Sequence, residues 1–231
     1  MPAKNARKQY ISNGYYHLYN RGVEKRIIFL DKQDYSVFLS YLKEYLLIKD
    51  SENLREQLAR DSLPPAQRDK ILKRLRLNNF ADSITLLSYA LMPNHFHFFI
   101  KQTDENAIDA FMNSLGTRYT MYFNKKYQRV GKLYQGVYKA VSVVSEAQFL
   151  HLSRYIHRQA LFLQGDALQE KYPCSYYEFL GKRQTEWVKP DEILSYFSDQ
   201  HWNLSYEAFM KQRDEGELQA KYILEDYHDL E

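Results

Sequence analysis

Two histidines, His95 and His97, stand one residue apart inside the apolar stretch YALMPNHFHFFIKQ, residues 89–102. On an extended strand, residues two apart project to the same face. The two imidazoles therefore point together, while Phe96 and Phe98 turn to the other side and into a core. Imidazoles side by side on a rigid strand are a ready pair of divalent-metal ligands. Surface histidines at a strand start give the same pattern without a metal, so spacing alone leaves both readings open. A second group with chemistry lies in SEAQFLHLSRYIHRQALFLQG, residues 145–165. There Phe149, Leu152, Ile156, Ala160 and Leu163 make an apolar stripe at helical steps. Beside it His151, Tyr155 and Gln159 fall at i, i+4 and i+8, on one flank, and Arg154 and Arg158 extend the polar side. A tyrosine and a glutamine one turn apart could both reach a sheet-mounted metal, or Tyr155 could merely widen the buried stripe.

The elements that must position these groups are read from period and punctuation. Residues 14–20, GYYHLYN, read as a strand ended by Gly22. Residues 34–47 keep a helical period through Phe38, Tyr41, Leu42, Tyr45 and Leu46. Residues 50–80 are highly charged and broken by Pro64-Pro65, which predicts two short helices inserted between core elements. Residues 84–92 and 95–101 read as a hairpin turned at Pro93-Asn94. Thr103 is the expected N-cap of a helix over 103–127, and 133–143 reads as a further strand. Ser145 and Gln148 make a capping-box pair for the helix that follows, with Gly165 as its C-cap. This order predicts an α+β fold, an antiparallel sheet with helices packed on one face in the ferredoxin-like pattern.

Composition narrows the class. The chain has 231 residues, 45% of them hydrophobic, enough to bury a core. No apolar run approaches the ~18 residues of a membrane span, and the basic N-terminus lacks the apolar region of a signal peptide. A single cysteine, Cys174, excludes an internal disulfide. A cytoplasmic protein is expected. Residues 186–231 hold twelve acidic and four basic side chains, a net of −8, which leaves +11 on residues 1–185. Residues 110–145 contain no acid at all, and interleave Arg118, Lys125, Lys126, Arg129, Lys132 and Lys139 with five tyrosines. Basic groups attract phosphates and aromatic faces stack on bases, a mixture suited to single-stranded nucleic acid. An amphipathic helix with core tyrosines would look the same.

LMPNHFHFFIKQ resembles the HUH motif, histidine–hydrophobe–histidine, of single-tyrosine transposases, in particular the REP-associated tyrosine transposases of the IS200-like type. HLYNRGVEKRIIFLDKQDY is similar to that family's first strand and following loop. RYTMYFNKKYQRVGKLYQGVYKAV is similar to the segment after the HUH strand, LHLSRYIHRQAL to the tyrosine helix, and YPCSYYEFLG to the segment downstream. Many REP-associated members read Tyr-Ile-His-x-Asn-Pro in that helix where this chain reads Tyr-Ile-His-Arg-Gln-Ala, a departure that keeps a ligand oxygen and lets the helix run on.

The resemblance implies an HUH endonuclease domain over 1–181, with a helical insertion at about 50–80, and an acidic helical extension over 182–231. It implies a single-stranded DNA endonuclease and strand transferase that forms a 5′-phosphotyrosine. Tyr155 would be the nucleophile, and His95, His97 and Gln159 the ligands of Mg²⁺ or Mn²⁺. Arg21, Arg26, Arg118, Lys125, Lys126, Arg129, Lys132 and Tyr134 become expected DNA contacts, and hairpin-bearing single-stranded DNA the expected partner. Enzymes of this kind act as monomers or homodimers, with the tyrosine helix in cis or swapped. A domesticated hairpin binder and an HUH replication initiator or relaxase are the alternatives.

Overall fold

The computed structural model describes residues 10–60, 62–165, 167–198 and 200–212. Strand β1 (Tyr15–Arg21) leads to helix α1 (Lys32–Leu46), the inserted helices α2 (Ser51–Leu58) and α3 (Pro65–Arg76), and the hairpin β2 (Ile84–Met92) and β3 (His95–Gln102). Then come α4 (Ala107–Lys126), β4 (Lys139–Val143) and α5 (Glu146–Ala160). A small hairpin, β5 (Leu161–Gln164) and β6 (Ala167–Glu170), precedes three short helices, α6 (Tyr176–Phe179), α7 (Asp191–Leu194) and α8 (Tyr206–Lys211).

The four long strands form one antiparallel sheet in the order β2-β3-β1-β4. That is the ferredoxin-like arrangement, with β1 and β3 in the centre. Alternation sorts the side chains. Tyr16 and Leu18 of β1 and Phe96, Phe98 and Ile100 of β3 go to the face covered by α1 and α4, where Phe38, Leu42, Phe111, Leu115 and Tyr119 complete a core. Asp31 and Asp34 start α1 with a reciprocal capping box. The buried Asp34 carboxylate also accepts from the Tyr122 and Tyr127 hydroxyls, the Lys126 ammonium and the Leu30 amide, which ties α1 to the end of α4.

The layer expected on one face is α1 with α4. The opposite face carries a second layer: Leu152, Ile156 and Ala160 of α5 pack with Leu87, Ala90, Met92 and Phe99, and Tyr176, Ile193, Tyr206 and Met210 close the same cluster. Several expected boundaries move. Helix α4 begins after Asn106 rather than at Thr103, whose hydroxyl donates instead to the Asp82 carbonyl. Only 139–143 of the expected strand 133–143 joins the sheet, while Tyr134 bridges to Gly22 beyond the end of β1. The Ser145–Gln148 capping box is present, but α5 stops at Ala160, and Gly165, with φ +59, turns the β5–β6 hairpin. Leu163 therefore lies exposed on β5 instead of in the α5 stripe. Trp187 and Val188, past residue 181, sit in the main core. The acidic tail lies outside the described residues. Among the described residues no helix is long and apolar enough to cross a membrane.

Candidate active site

The register of β1 against β3 sets Tyr19 opposite His97 and Arg21 opposite His95. Residues directly opposite share a face, so one face of the sheet gathers His17, Tyr19 and Arg21 from β1 and His95 and His97 from β3. His97 is fully buried at the centre, and His95 lies at the strand end, half-buried. Each imidazole has a partner at Nδ1: Asn94 Oδ1 at 2.6 Å from His95, and His17 Nε2 at 2.8 Å from His97. Burial pulls all three rings below the usual histidine range. His17 falls to about 3, and His95 to about 4 with help from the Arg21 charge. For His97, burial leads and its two histidine neighbours add to the effect. Near neutral pH the three rings are uncharged, the form that binds metals.

Helix α5 lays Tyr155 across this face. Its ring stands edge-on to His97, centroids 5.6 Å apart, and to His17, 6.1 Å apart. Earlier on the same helix, Phe149 packs edge-on against Phe99 at 5.1 Å. The step from Phe149 to Tyr155 thus follows β3 from Phe99 to His97, and Gln159, one turn further along α5, is exposed. Burial raises the Tyr155 phenol above its ordinary value, and the neighbouring Tyr19 phenol adds to the shift. The hydroxyl therefore keeps its proton at neutral pH.

The donor set suits a divalent cation. The Asn94 amide oxygen can only accept, so His95 carries its proton on Nδ1 and presents a lone pair at Nε2. Among the described residues no three His, Cys, Asp or Glu side chains converge to hold a metal. A third protein ligand would have to be of another type, and the Gln159 amide oxygen is of the right kind.

The basic residues separate into two groups. Lys126 is ion-paired to Asp31 and Asp34, and Arg118 to Glu44 while stacked 3.7 Å over the Tyr41 ring. Both bind helix α4 to α1 on the far face of the sheet, which argues against their expected role at DNA. The partly buried Tyr134 ring packs edge-on to Phe96 against the core. Lys125 and Lys132 are exposed. Arg129 is held by Asn124, with Arg26 close enough to depress its pKa after burial. Arg21 donates to Gln135 beside the His95 end of the sheet. Among the described residues, Arg21 Nη1 and Arg26 Nε are buried nitrogens with no hydrogen-bond partner.

Three features escaped the sequence reading. His17 sits inside the site. Its signal was parity with Tyr19 and Arg21 on β1, interpretable only with the strand register. Arg154 and Arg158 were assigned to a polar flank, whereas Arg154 is buried and donates to the Phe209 carbonyl, and Arg158 donates to those of Met210 and Gln212. His157 is likewise buried, between Tyr206 and Ser175.

Residues 66–159 match the model of the family described as "Transposase IS200 like". No curated protein matches the chain. Among solved structures it is similar to the REP-associated tyrosine transposase bound to a REP hairpin, at 10% identity and a TM-score of 0.42, covering 80% of this chain and 97% of that one. It is also similar to a protein from Deinococcus radiodurans R1 described as a candidate transposase, at 16% identity and a TM-score of 0.28, covering 69% of this chain and 98% of that one. The matched segment holds both strand histidines, Tyr155 and Gln159.

Proposed function

We propose that the chain cleaves and rejoins single-stranded DNA beside a hairpin, with Tyr155 as nucleophile. The observation that carries this reading is the phenol of Tyr155 lying edge-on to His97, on the histidine-bearing face of its own sheet. The Tyr155 oxygen attacks a backbone phosphorus, the new O–P bond forms as the P–O3′ bond breaks, and the phenolic proton is balanced by the one gained by the departing 3′-oxygen. The product is a 5′-phosphotyrosine and a free 3′-OH. A second 3′-OH attacking the same phosphorus reverses the step and joins strands without ATP.

His95 and His97, through Nε2, and Gln159, through its amide oxygen, would hold Mg²⁺ or Mn²⁺. Such an ion, when bound, supplies Lewis-acid polarisation of the phosphate. Imidazole nitrogen favours Mn²⁺ of the two. The chain's own residues do the rest. Helix α5 sets the phenol over the histidine face, and burial keeps it protonated until a phosphate arrives. Arg21, Arg26, Arg129, Lys125 and Lys132 supply positive charge around the His95 end and the adjoining loop, where buried guanidinium nitrogens await acceptors.

The test is a denaturant-resistant protein–DNA adduct on labelled single-stranded hairpins taken from the repeats flanking the gene. The adduct is expected with Mn²⁺, and expected to vanish with EDTA or in Tyr155→Phe. An adduct that persists in Tyr155→Phe overturns the assignment of the nucleophile. Tight binding without any adduct would instead make this a hairpin-binding protein that does not turn over.

A further inference from the structure

His17 has no place in the chemistry described so far, yet it lies fully buried at the middle of the sheet, stacked on His97 with ring centroids 5.0 Å apart and planes at 23°. His17 Nε2 and His97 Nδ1 are 2.8 Å apart. No cation fits between them, since each metal–nitrogen bond alone needs about 2 Å. One nitrogen donates a proton and the other accepts it, and the direction decides what His97 can do. If His17 donates, His97 accepts at Nδ1, and the proton of its neutral ring sits on Nε2, which is then blocked as a ligand. If His97 donates from Nδ1, its Nε2 keeps a lone pair. The neighbouring His95 is already fixed in that second tautomer by the Asn94 oxygen.

We propose that His17 is a positioning residue that accepts the Nδ1–H of His97 and so holds His97 in the tautomer whose Nε2 binds the divalent cation. This deepens the reading above and rests on His97 being a ligand. It gives both strand histidines the same arrangement, one ring nitrogen directed at an acceptor and the other at the ion. That pairing fixes tautomer and ring orientation and raises ligand basicity. Stacking restrains the ring as well, because a turn of His97 about its side-chain axis would break the contact with His17 and the edge contact with Tyr155 together.

The experiment has two readouts, neither of which uses DNA. Long-range ¹H–¹⁵N correlation of the metal-free wild type reports which imidazole nitrogen of His97 carries the proton, and Nδ1 is expected. Titration with Mn²⁺ alone, followed by electron paramagnetic resonance, reports affinity for wild type, His17→Phe, His17→Gln and His97→Ala. His17→Phe is expected to weaken Mn²⁺ binding about 10–100-fold. His17→Gln, whose amide oxygen can accept from Nδ1, is expected to restore most of the loss. A wild-type His97 protonated on Nε2 overturns the proposal, even where His17→Phe fails to fold. So does a folded His17→Phe that binds Mn²⁺ as tightly as wild type. If wild type binds no Mn²⁺, or His97→Ala binds as tightly as wild type, the assignment of His97 as a ligand fails, and the role of His17 falls with it.

Discussion

His157 Nδ1 lies 2.8 Å from the hydroxyl of Tyr206, so the helix that carries Tyr155 is fastened on its far side to the C-terminal helix α8. The contact belongs to a chain of hydrogen bonds. The Tyr206 hydroxyl donates to Ser153, which leaves its oxygen to accept from His157 Nδ1–H. His157 Nε2 then accepts from Ser175, whose oxygen in turn accepts the Tyr89 amide of β2. Arg154 and Arg158 add bonds to the carbonyls of Phe209, Met210 and Gln212, which end α8. Tyr206→Phe keeps the ring but removes the hydroxyl from a fully satisfied buried network. It is expected to cost about 1–3 kcal/mol, read as a fall in Tm of roughly 2–4 °C for each kcal/mol. If α5 seats Tyr155, the rate of adduct formation falls in this variant while affinity for the hairpin stays unchanged.

What could be read from sequence divides along a physical line. His95, His97, Tyr155 and the Ser145–Gln148 cap depend only on local periods, two for a strand and 3.6 for a helix, and local periods are visible in one dimension. His17 depends on which residue of β3 it meets, and a run of Tyr, Tyr, His, Leu, Tyr carries too little alternation to fix a face. Arg154 and Arg158 read as a polar flank because their partners lie about fifty residues away in a segment with weak periodicity. Lys126 and Arg118 read as DNA contacts because the acids that neutralise them, Asp31, Asp34 and Glu44, sit on another helix. Charge density along a chain is legible, but charge pairing in space is not.

That distinction predicts a split among the basic residues. Lys126→Met removes the cation facing the buried Asp34 and should destabilise the fold by about 2–4 kcal/mol, without changing how DNA affinity depends on salt. Lys132→Ala or Arg26→Ala should leave Tm nearly unchanged, weaken hairpin binding, and lower the slope of log affinity against log salt by about one each. Salt titrations of hairpin binding beside thermal melts would separate the groups. A normal Tm with a reduced slope in Lys126→Met would return that lysine to the DNA surface.

Histidines held below their ordinary range by burial should make the fold sensitive to mild acid. His17 and His157 are held near 3, and His95 near 4, all by burial of a ring that would carry charge. In the unfolded chain each takes up a proton near the ordinary value of about 6.5, so below that pH the unfolded state binds more protons than the folded one. The stability they contribute is complete above about pH 6.5 and is lost as pH falls toward 4 and 3, by up to ~1.4 kcal/mol per pH unit for each histidine. Asp34 is held low by Lys126 and the tyrosine hydroxyls against an opposing burial effect, and it acts in a lower window, at and below the usual carboxylate range. Urea unfolding at pH 7.5, 6.0, 5.0 and 4.5 should therefore show stability falling throughout. The fall should be shallower in His157→Gln, which lacks one of these titrating rings.

The turn that presents His95 depends on a glycine at the end of the neighbouring strand β1. A Cβ at Gly22 would sit 2.2 Å from the Arg26 backbone oxygen and 2.9 Å from Ile28, too close for either to yield cheaply. Gly22 donates its amide to the Asn94 carbonyl, and Ile28 and Phe29 donate theirs to Pro93, so the loop around Gly22 grips the Pro93-Asn94 turn from below. Adding a methyl group there pushes that loop away from the turn. It thereby disturbs Asn94, whose side chain sets the tautomer of His95, and Arg21 and Arg26 on either side. Gly22→Ala is expected to cost about 1–3 kcal/mol and to weaken Mn²⁺ binding as well. Gly116, inside α4, meets only the Tyr134 ring at 3.8 Å, so Gly116→Ala should be neutral or stabilising by up to about 1 kcal/mol. Paired melts and Mn²⁺ titrations of the two variants check this, and equal Mn²⁺ affinity in both would show that the turn holds His95 without help from the Gly22 loop.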